Sequence, residues 1–194
     1  MTNKAKKILL IDGNSVIHRA FHALPPLKTS EGIQTNAVYG FITMMQKAVT
    51  MAAPDYVVVA FDHSKITFRH RLYADYKGTR SPTDPELRPQ FALMKRLLSA
   101  WGWASCELED YEADDLIGTL SRQSAAADLE VLILTGDRDV LQLIGERVKV
   151  FLMRRGLSQV EVFDQDAIQR NYGLEPSQLI DVMALKGDKS DNIP

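Results

Sequence analysis

The sequence has 194 residues, 45% hydrophobic and 25% charged, with a formal net charge of -2 at pH 7. This is the make-up of an ordinary globular chain, long enough for one domain with a sizeable core. No apolar run could cross a bilayer, the short run in MTNKAKKILLID closes at Asp12 too early for a signal peptide, and the single Cys106 excludes an internal disulfide, so a cytoplasmic location is expected.

The first element is a buried strand over 6–12, KKILLID, followed by a helix over 14–22. Residues 25–32, PPLKTSEG, read as a loop, and Val38, Phe41, Ile42, Met45 and Val49 give helical spacing to 35–52. A second buried strand, YVVVAFD, covers 56–62 and again ends in Asp. Residues 63–84 are polar and basic and show no core-facing period, so 64–84 are expected to be mobile without a bound polyanion. Helical periodicity returns over 86–101, and a third strand is expected at 103–108. A helix then opens on YEADDLIGTL, residues 111–120. EVLILTGDRD, 130–139, is a fourth strand running into two acids, RVKVFLM is a fifth, and 159–163 reads as a short extra one. Two helices, near 164–171 and 176–185, precede GDKSDNIP. Strands alternating with helices imply an α/β fold with a twisted, mostly parallel central sheet and helices on both faces.

The acids are placed unusually. Asp12, Asp62, Asp137 and Asp139 each follow a strand, and ligands of parallel sheets sit beyond the carboxyl ends of the strands. Glu112, Asp114 and Asp115 crowd the start of one helix, ahead of Leu116, Ile117 and Leu120, which look like its buried face. Asp188 and Asp191 stand near the end of the chain. Each acid alone reads as a turn former or helix cap. Three at one helix start exceed what a helix dipole offsets, and nine from five segments converging on one sheet edge would repel strongly unless protonated or bound to cations. Carboxylates without a Cys or His cluster suit Mg²⁺ or Mn²⁺, and two such ions about 4 Å apart would serve a phosphoryl displacement.

The net charge hides a local excess. Between His63 and Arg80 five basic residues, Lys65, Arg69, Arg71, Lys77 and Arg80, face one acid, Asp75, and Phe68, Tyr73 and Tyr76 are interleaved. Such a stretch can neutralise phosphates and stack on bases, or it can be a solvated surface segment with aromatics packed inward. His18, His22, His63 and His70 are scattered and read as surface or packing residues, Cys106 as a small core residue, and Trp101 and Trp103 as packing against the sheet.

Five stretches carry a family resemblance: LLIDGNSVIHRAFHALPPL, VVVAFDHSKITFRHRLYADYKGTRSP, EADDLIGTL, LTGDRDVLQL and ALKGDKSDNIP. In this order the chain resembles the 5′-nuclease family, and within it the 5′→3′ exonuclease domains at the N-terminus of bacterial DNA polymerase I. The resemblance implies a PIN-like, 5′-nuclease core with a basic helical arch at about 63–84. It implies a metal-dependent 5′→3′ exonuclease and 5′-flap endonuclease that hydrolyses DNA by a two-metal mechanism, in replication and repair. Its cofactor would be two Mg²⁺ ions, with Mn²⁺ as a substitute. Its partner would be DNA with 5′ ends or 5′ flaps, and not a membrane.

By the same resemblance Asp12, Asp62, Glu112 and Asp114 correspond to ligands of the first ion. Asp114, Asp137, Asp139 and Asp188 correspond to ligands of the second, and Asp115 and Asp191 to groups acting through water or behind the ligands. Tyr76, Lys77 and Arg80 fall on positions that stack on or hold the scissile phosphate. Lys77 and Arg80 are thus the candidate catalytic cations, and Arg19 and Arg69 further DNA-contacting groups. In the family the last motif continues into a helix–turn–helix segment that grips duplex DNA. Residues 1–194 are therefore expected to be a catalytic core stopping short of that segment, joined to polymerase domains in a longer protein. Two other functions remain open: a DNA-binding scaffold left inactive without that segment, and a related PIN-type ribonuclease, against which the arch-like YADYKGTR counts. A small-substrate phosphatase fits less well, because DGN lacks the second Asp of a nucleophile motif.

Overall fold

The computed structural model describes residues 5–154, 156 and 159–194. Among them, six strands form one sheet in the order β3-β2-β1-β4-β5-β6. β1 (Lys7–Asp12), β2 (Tyr56–Ala60), β3 (Ala104–Cys106), β4 (Glu130–Thr135) and β5 (Val148–Met153) run parallel. β6 (Val160–Phe163) pairs antiparallel with β5 at the edge. The order reverses direction at β1, which lies between β2 and β4, so the crossovers leaving β1 and β4 diverge and open a crevice at their carboxyl ends.

Strand alternation divides the core into two layers. Leu9 and Ile11 of β1, Leu132 and Leu134 of β4, and Phe151 and Met153 of β5 point to one face. There they meet α1 (Gly13–Ala23), α2 (Asn36–Ala52) and α4 (Arg88–Ala100) through Val16, Ile17, Phe41, Met45, Met94 and Leu98. Ile8 and Leu10, Val131 and Ile133, and Val150 and Leu152 point to the other. They pack on α5 (Ala113–Ala126) through Ile117, on α6 (Gln165–Tyr172) through Ile168, and on the 3-10 turn Asp139–Leu143. Both faces of β1, β4 and β5 are therefore covered, and their interiors are apolar rather than alternating, except for the exposed Lys149 of β5.

Several boundaries differ from the sequence pattern. The fourth strand ends at Thr135, and the two acids after it belong to a turn and the 3-10 helix. The third strand is only three residues long. Trp103 packs against the first core layer, whereas Trp101 is 43% exposed, so only one tryptophan covers the sheet. Cys106 is half-buried against the second layer. The last helix, α7 (Gln178–Lys186), buries no residue, and Leu185 is 91% exposed. No helix among the described residues is long and apolar enough to cross a membrane.

The largest departure lies in 63–84. A short helix, α3 (Phe68–Leu72), and a run of turns occupy this stretch. It has a buried side after all, made of Thr67 and Tyr76. Those anchors are polar, so hydrophobic periodicity could not reveal them.

One buried polar contact organises the first layer. The first N–H groups of α2 have no intrahelical partner, and Thr35 offers no side-chain cap. Gln90, fully buried on α4, supplies it: Oε1 accepts from the N–H of Ala37 at 2.8 Å and of Val38 at 3.3 Å. Its Nε2 donates to Asn36 Oδ1 and to the Glu86 carbonyl, both at 3.1 Å. Replacing Gln90 by Met keeps the volume and strands these groups. The unfolding free energy from urea titration should fall by about 2–3 kcal/mol. A loss under about 0.5 kcal/mol would show that the helix start is satisfied in another way.

Candidate functional site

The crevice at the carboxyl ends of β1 and β4 opens into a cavity of about 1040 Å³. Eight of the nine acids singled out in the sequence line it: Asp12, Asp62, Glu112, Asp114, Asp115, Asp137, Asp139 and Asp191. Asp188 does not, although its charge is felt by Asp139. Arg69, Tyr76, Lys77 and Arg80 line the cavity as well. Arg19 does not; it is half-buried beside Gly136, with its guanidinium donating to the carbonyl of Arg154.

Local geometry explains how the acids are delivered. Asp12 ends β1 and caps α1, its Oδ1 accepting from Ser15 N at 2.9 Å. Gly13 follows because a Cβ there would strike the Phe61 ring and come within 2.8 Å of the Ala60 carbonyl. Asp62 lies two residues past β2, where Asn14 clasps it at both ends: Asn14 Nδ2 donates to Oδ2 at 2.8 Å, and Asp62 N donates to Asn14 Oδ1 at 3.1 Å. Asp62 Oδ1 also accepts from Ala113 N at 2.7 Å, which ties β2 to the start of α5. Glu112 and Asp115 cap that helix reciprocally. Gly136 brings the TGD turn against α1, since a Cβ would lie 2.9 Å from Ser15 Oγ and 3.0 Å from Arg19 Nε.

The acids thus fall into two groups. Most are satisfied by protein donors. Asp12 Oδ2 takes a hydrogen bond from Thr135 Oγ1 at 2.8 Å, and Asp115 holds Arg69 in a two-pronged pair at 2.7 Å on each arm. Lys77 Nζ lies 2.8 Å from Glu112 Oε2 and 4.0 Å from Asp191 Oδ2. Tyr76 OH reaches Glu112 at 3.2 Å and Asp191 at 2.9 Å. Asp137 Oδ1 accepts from Asp139 N at 3.0 Å. The side-chain carboxylates of Asp114 and Asp139 accept no hydrogen bond among the described residues, and both face the cavity.

These two acids show the electrostatic consequence. Burial, then the charges of Asp12, Asp137 and Asp62, push Asp114 up to about 8. Burial, then Asp137 and Asp188, push Asp139 up to about 6. Asp12 is also raised to about 6, chiefly by burial and against its two hydrogen bonds, and Asp62 is raised for the same reason. Asp115 goes the other way: burial is outweighed by its bonds to Arg69 and to the Glu112 N–H. The Tyr76 hydroxyl is held well above its usual value by burial and by the charge of Glu112.

The family resemblance implies two ligand sets, Asp12, Asp62, Glu112 and Asp114 for one ion and Asp114, Asp137, Asp139 and Asp188 for the other, with Asp115 and Asp191 acting through water or behind them. No group of three or more His, Cys, Asp or Glu side chains among the described residues is arranged so that it could hold a metal ion as it stands. The physical reason is that Glu112, Asp115 and Asp191 are engaged by Lys77, Arg69, Arg80 and Tyr76, while Asp12 and Asp62 are turned to their own donors. The donor set still fits a hard divalent cation by its chemistry: carboxylate oxygens only, crowded enough to raise one another's proton affinity, with Asp114 and Asp139 uncommitted.

Three residues not singled out in the sequence, and His18, expected only as a surface or packing residue, also shape the site. Asn14 and Thr135 fix the orientations of Asp62 and Asp12, Ser15 holds the TGD turn through Gly136 N at 2.9 Å, and His18 lines the cavity wall with its proton affinity lowered by burial. Asn14 and Ser15 lie two and three residues after Asp12, and Thr135 precedes the acids of the turn. Nearness to the acids in sequence was the one available signal.

Comparison with known proteins decides the kinship. Residues 7–173 match the family model described as the 5′-3′ exonuclease, N-terminal resolvase-like domain. The chain belongs to the 5′-3′ exonuclease family. DNA polymerase I of Bacillus caldotenax is 48% identical over 189 residues, and that of Bacillus subtilis (strain 168) 44%. Each match covers 97% of this chain but 22% of the relative, so the chain spans about a fifth of the length of these curated relatives. Among solved structures, T5 5′-exonuclease with bound divalent metal ions (zinc) superimposes with a TM-score of 0.75 at 19% identity, covering 97% of this chain and 69% of that one. The catalytic core of Rad2 in complex with a DNA substrate gives 0.58 at 18%, covering 97% and 57%. At such identities these two likenesses show the family's shared fold, a mostly parallel sheet between helices.

The raised Asp114 has a sign that can be worked out. An ordinary carboxyl in the unfolded chain ionises near 4, and the folded Asp114 near 8. Between these values the folded chain binds a proton that the unfolded chain has lost. Stability therefore falls as pH rises from about 4 to about 8 and levels off above. Asp114→Asn removes this part of the fall and leaves the parts due to Asp12, Asp62 and Asp139. With chelator present, the variant should exceed the parent by on the order of 1–3 kcal/mol at pH 8 and by little at pH 4.5, read as thermal midpoints at both values. A midpoint at pH 8 equal to or below the parent's would mean that Asp114 is a structural acid.

Proposed function

We propose that the chain is a divalent-metal-dependent 5′-nuclease core that hydrolyses phosphodiester bonds at DNA 5′ ends and 5′ flaps. The observation that carries this reading is the pairing within one cavity: uncommitted Asp114 and Asp139 on one side, the Arg69, Lys77 and Arg80 cations on the other. Family membership supports it, as do neighbours described as T5 5′-exonuclease with divalent metal ions, T5 D15 flap endonuclease with DNA and metal ions, and Rad2 with DNA substrate.

In this reading Asp12, Asp114, Asp137 and Asp139 hold metal from the β1 and β4 side, with Asp62 and Glu112 joining by turning from their present donors. The cofactor is two Mg²⁺ ions, replaceable by Mn²⁺. Bound there, such ions supply charge for the attacking and leaving oxygens of the displacement. The chain's own groups do the rest. Lys77 and Arg80 leave their carboxylate partners for the oxygens of the reacting phosphate, where negative charge builds in the transition state. The phenol of Tyr76 stays protonated at neutral pH and offers a ring beside them. Asn14 and Thr135 orient Asp62 and Asp12 at the cavity wall.

The same reading covers residues 1–194 as one catalytic core acting in replication and repair. It joins them to polymerase domains in a longer protein of the bacterial cytoplasm, as the relation to DNA polymerase I suggests.

Cleavage of a 5′-flap DNA with increasing Mg²⁺ tests the proposal. Asp114→Asn and Asp139→Asn should each lower the rate by at least about 100-fold without loss of the folded state. Lys77→Ala and Arg80→Ala should lower the single-turnover rate more than they weaken DNA binding measured by fluorescence anisotropy. If they weaken binding and leave the rate alone, the basic segment captures DNA without acting on the reacting phosphate. A parent chain that binds flap DNA but never cuts it, under any metal, would favour the scaffold.

A further inference from the structure

The turn carrying Lys77 and Arg80 is held by residues more than a hundred positions away. The N–H of Lys77 donates to the Asp191 carbonyl at 2.9 Å. Asn192 Nδ2 donates to the Asp75 carbonyl at 2.9 Å, and Arg80 Nε to the Ser190 carbonyl at 3.1 Å. Tyr76 OH meets Asp191 Oδ2 at 2.9 Å, and Arg80 pairs with the other oxygen of the same carboxylate. Residues 75–80 thus lie along residues 190–192. The loop beneath is itself braced. Asp188 and Ile193 exchange backbone hydrogen bonds at 3.0 and 2.8 Å, and Ser190 donates twice to Asp188 Oδ1, at 2.7 and 2.8 Å.

Both sides of the contact adopt backbone that L-residues avoid. Lys77 has φ 54° and Asn192 φ 60°. Left-handed backbone outside glycine persists where the surroundings over-determine it. Asparagine suits this place twice: it tolerates the conformation, and its amide can donate to a carbonyl, which aspartate cannot do.

We propose that the 188–193 loop is a docking template for the 75–80 turn, and that Asn192 is a positioning residue setting where the Lys77 ammonium and Arg80 guanidinium stand over the cavity. The functional weight of this rests on the nuclease reading, which makes those two cations phosphate-holding groups. Asp191 contributes to the docking, one oxygen accepting from Tyr76 and the other from Arg80.

Asn192→Gly separates side chain from backbone, because glycine keeps the left-handed conformation and removes only the amide. Two readouts are needed. In amide hydrogen exchange, the Lys77 N–H should exchange at least about 10-fold faster in the variant while the β1 and β4 amides are unchanged. In single-turnover cleavage of 5′-flap DNA with Mg²⁺, the variant should be at least about 10-fold slower, with DNA affinity within about twofold of the parent. In a Lys77→Ala/Arg80→Ala background the same substitution should change the residual rate by less than about twofold, because the groups it positions are gone.

Unchanged Lys77 exchange would overturn the docking. A parent-like cleavage rate, or an equal loss in both backgrounds, would overturn the positioning role. A parent chain that does not cleave would sink the nuclease reading and the positioning role with it, while the exchange result would still decide whether the loop holds the turn.

Discussion

Like-charge repulsion at the carboxyl edge of a parallel sheet governs most of what surrounds it. Asp12, Asp62, Asp114, Asp137 and Asp139 are brought together by β1, β2 and β4 and by the start of α5, in a crevice that excludes much of the water that would screen them. Two buried carboxylates at close range cannot both ionise cheaply, and here more than two meet. The fold responds in three ways: donors are built in behind some acids, protons are retained on others, and a basic segment is laid across the opening.

The first response explains why so many of these acids look structural when taken singly. Asp12 really is the cap of α1, and Glu112 and Asp115 really do cap α5. Capping and charge crowding are compatible, because a cap occupies one lone pair and orients the other oxygen. Asp12 gives Oδ1 to its helix and Oδ2 to Thr135. Asp114 sits between two capping residues and caps nothing itself. It is the acid that helix chemistry leaves unexplained, and the one whose proton affinity rises most.

The basic segment supplies the third response. Arg69 and Lys77 are partly buried and Arg80 is exposed, and the three pair with Asp115, Glu112 and Asp191. Tyr76 is buried at 7% exposure between two carboxylates and not among apolar side chains. Each of these contacts sets an opposite charge or an acidic hydroxyl against a carboxylate that would otherwise face its neighbours. The segment and the acids therefore compensate each other across the cavity. The cations that face a phosphate in the proposed reaction are the same ones that now neutralise the site.

How far the sequence reached follows from the range of the forces involved. The alternation of buried strands and amphipathic helices is a local pattern, set by periods of 2 and 3.6 residues, and it determined the parallel α/β sheet and the placement of Asp12, Asp62, Asp137 and Asp139 at strand ends. The motifs in LLIDGN, EADDL and TGDRD determined the family. Three things needed the tertiary structure. The sheet order put β1 between β2 and β4, which decided that those acids share one crevice. The burial of Thr67 and Tyr76 anchored a segment whose hydrophobic pattern is featureless, because its anchors are hydrogen bonds and ion pairs. The docking of 75–80 on 190–192, and with it the engagement of Asp191 by Tyr76 and Arg80, joins residues more than a hundred positions apart. Local propensity carries no information about which distant carbonyl an amide will meet, so only the folded chain could decide it.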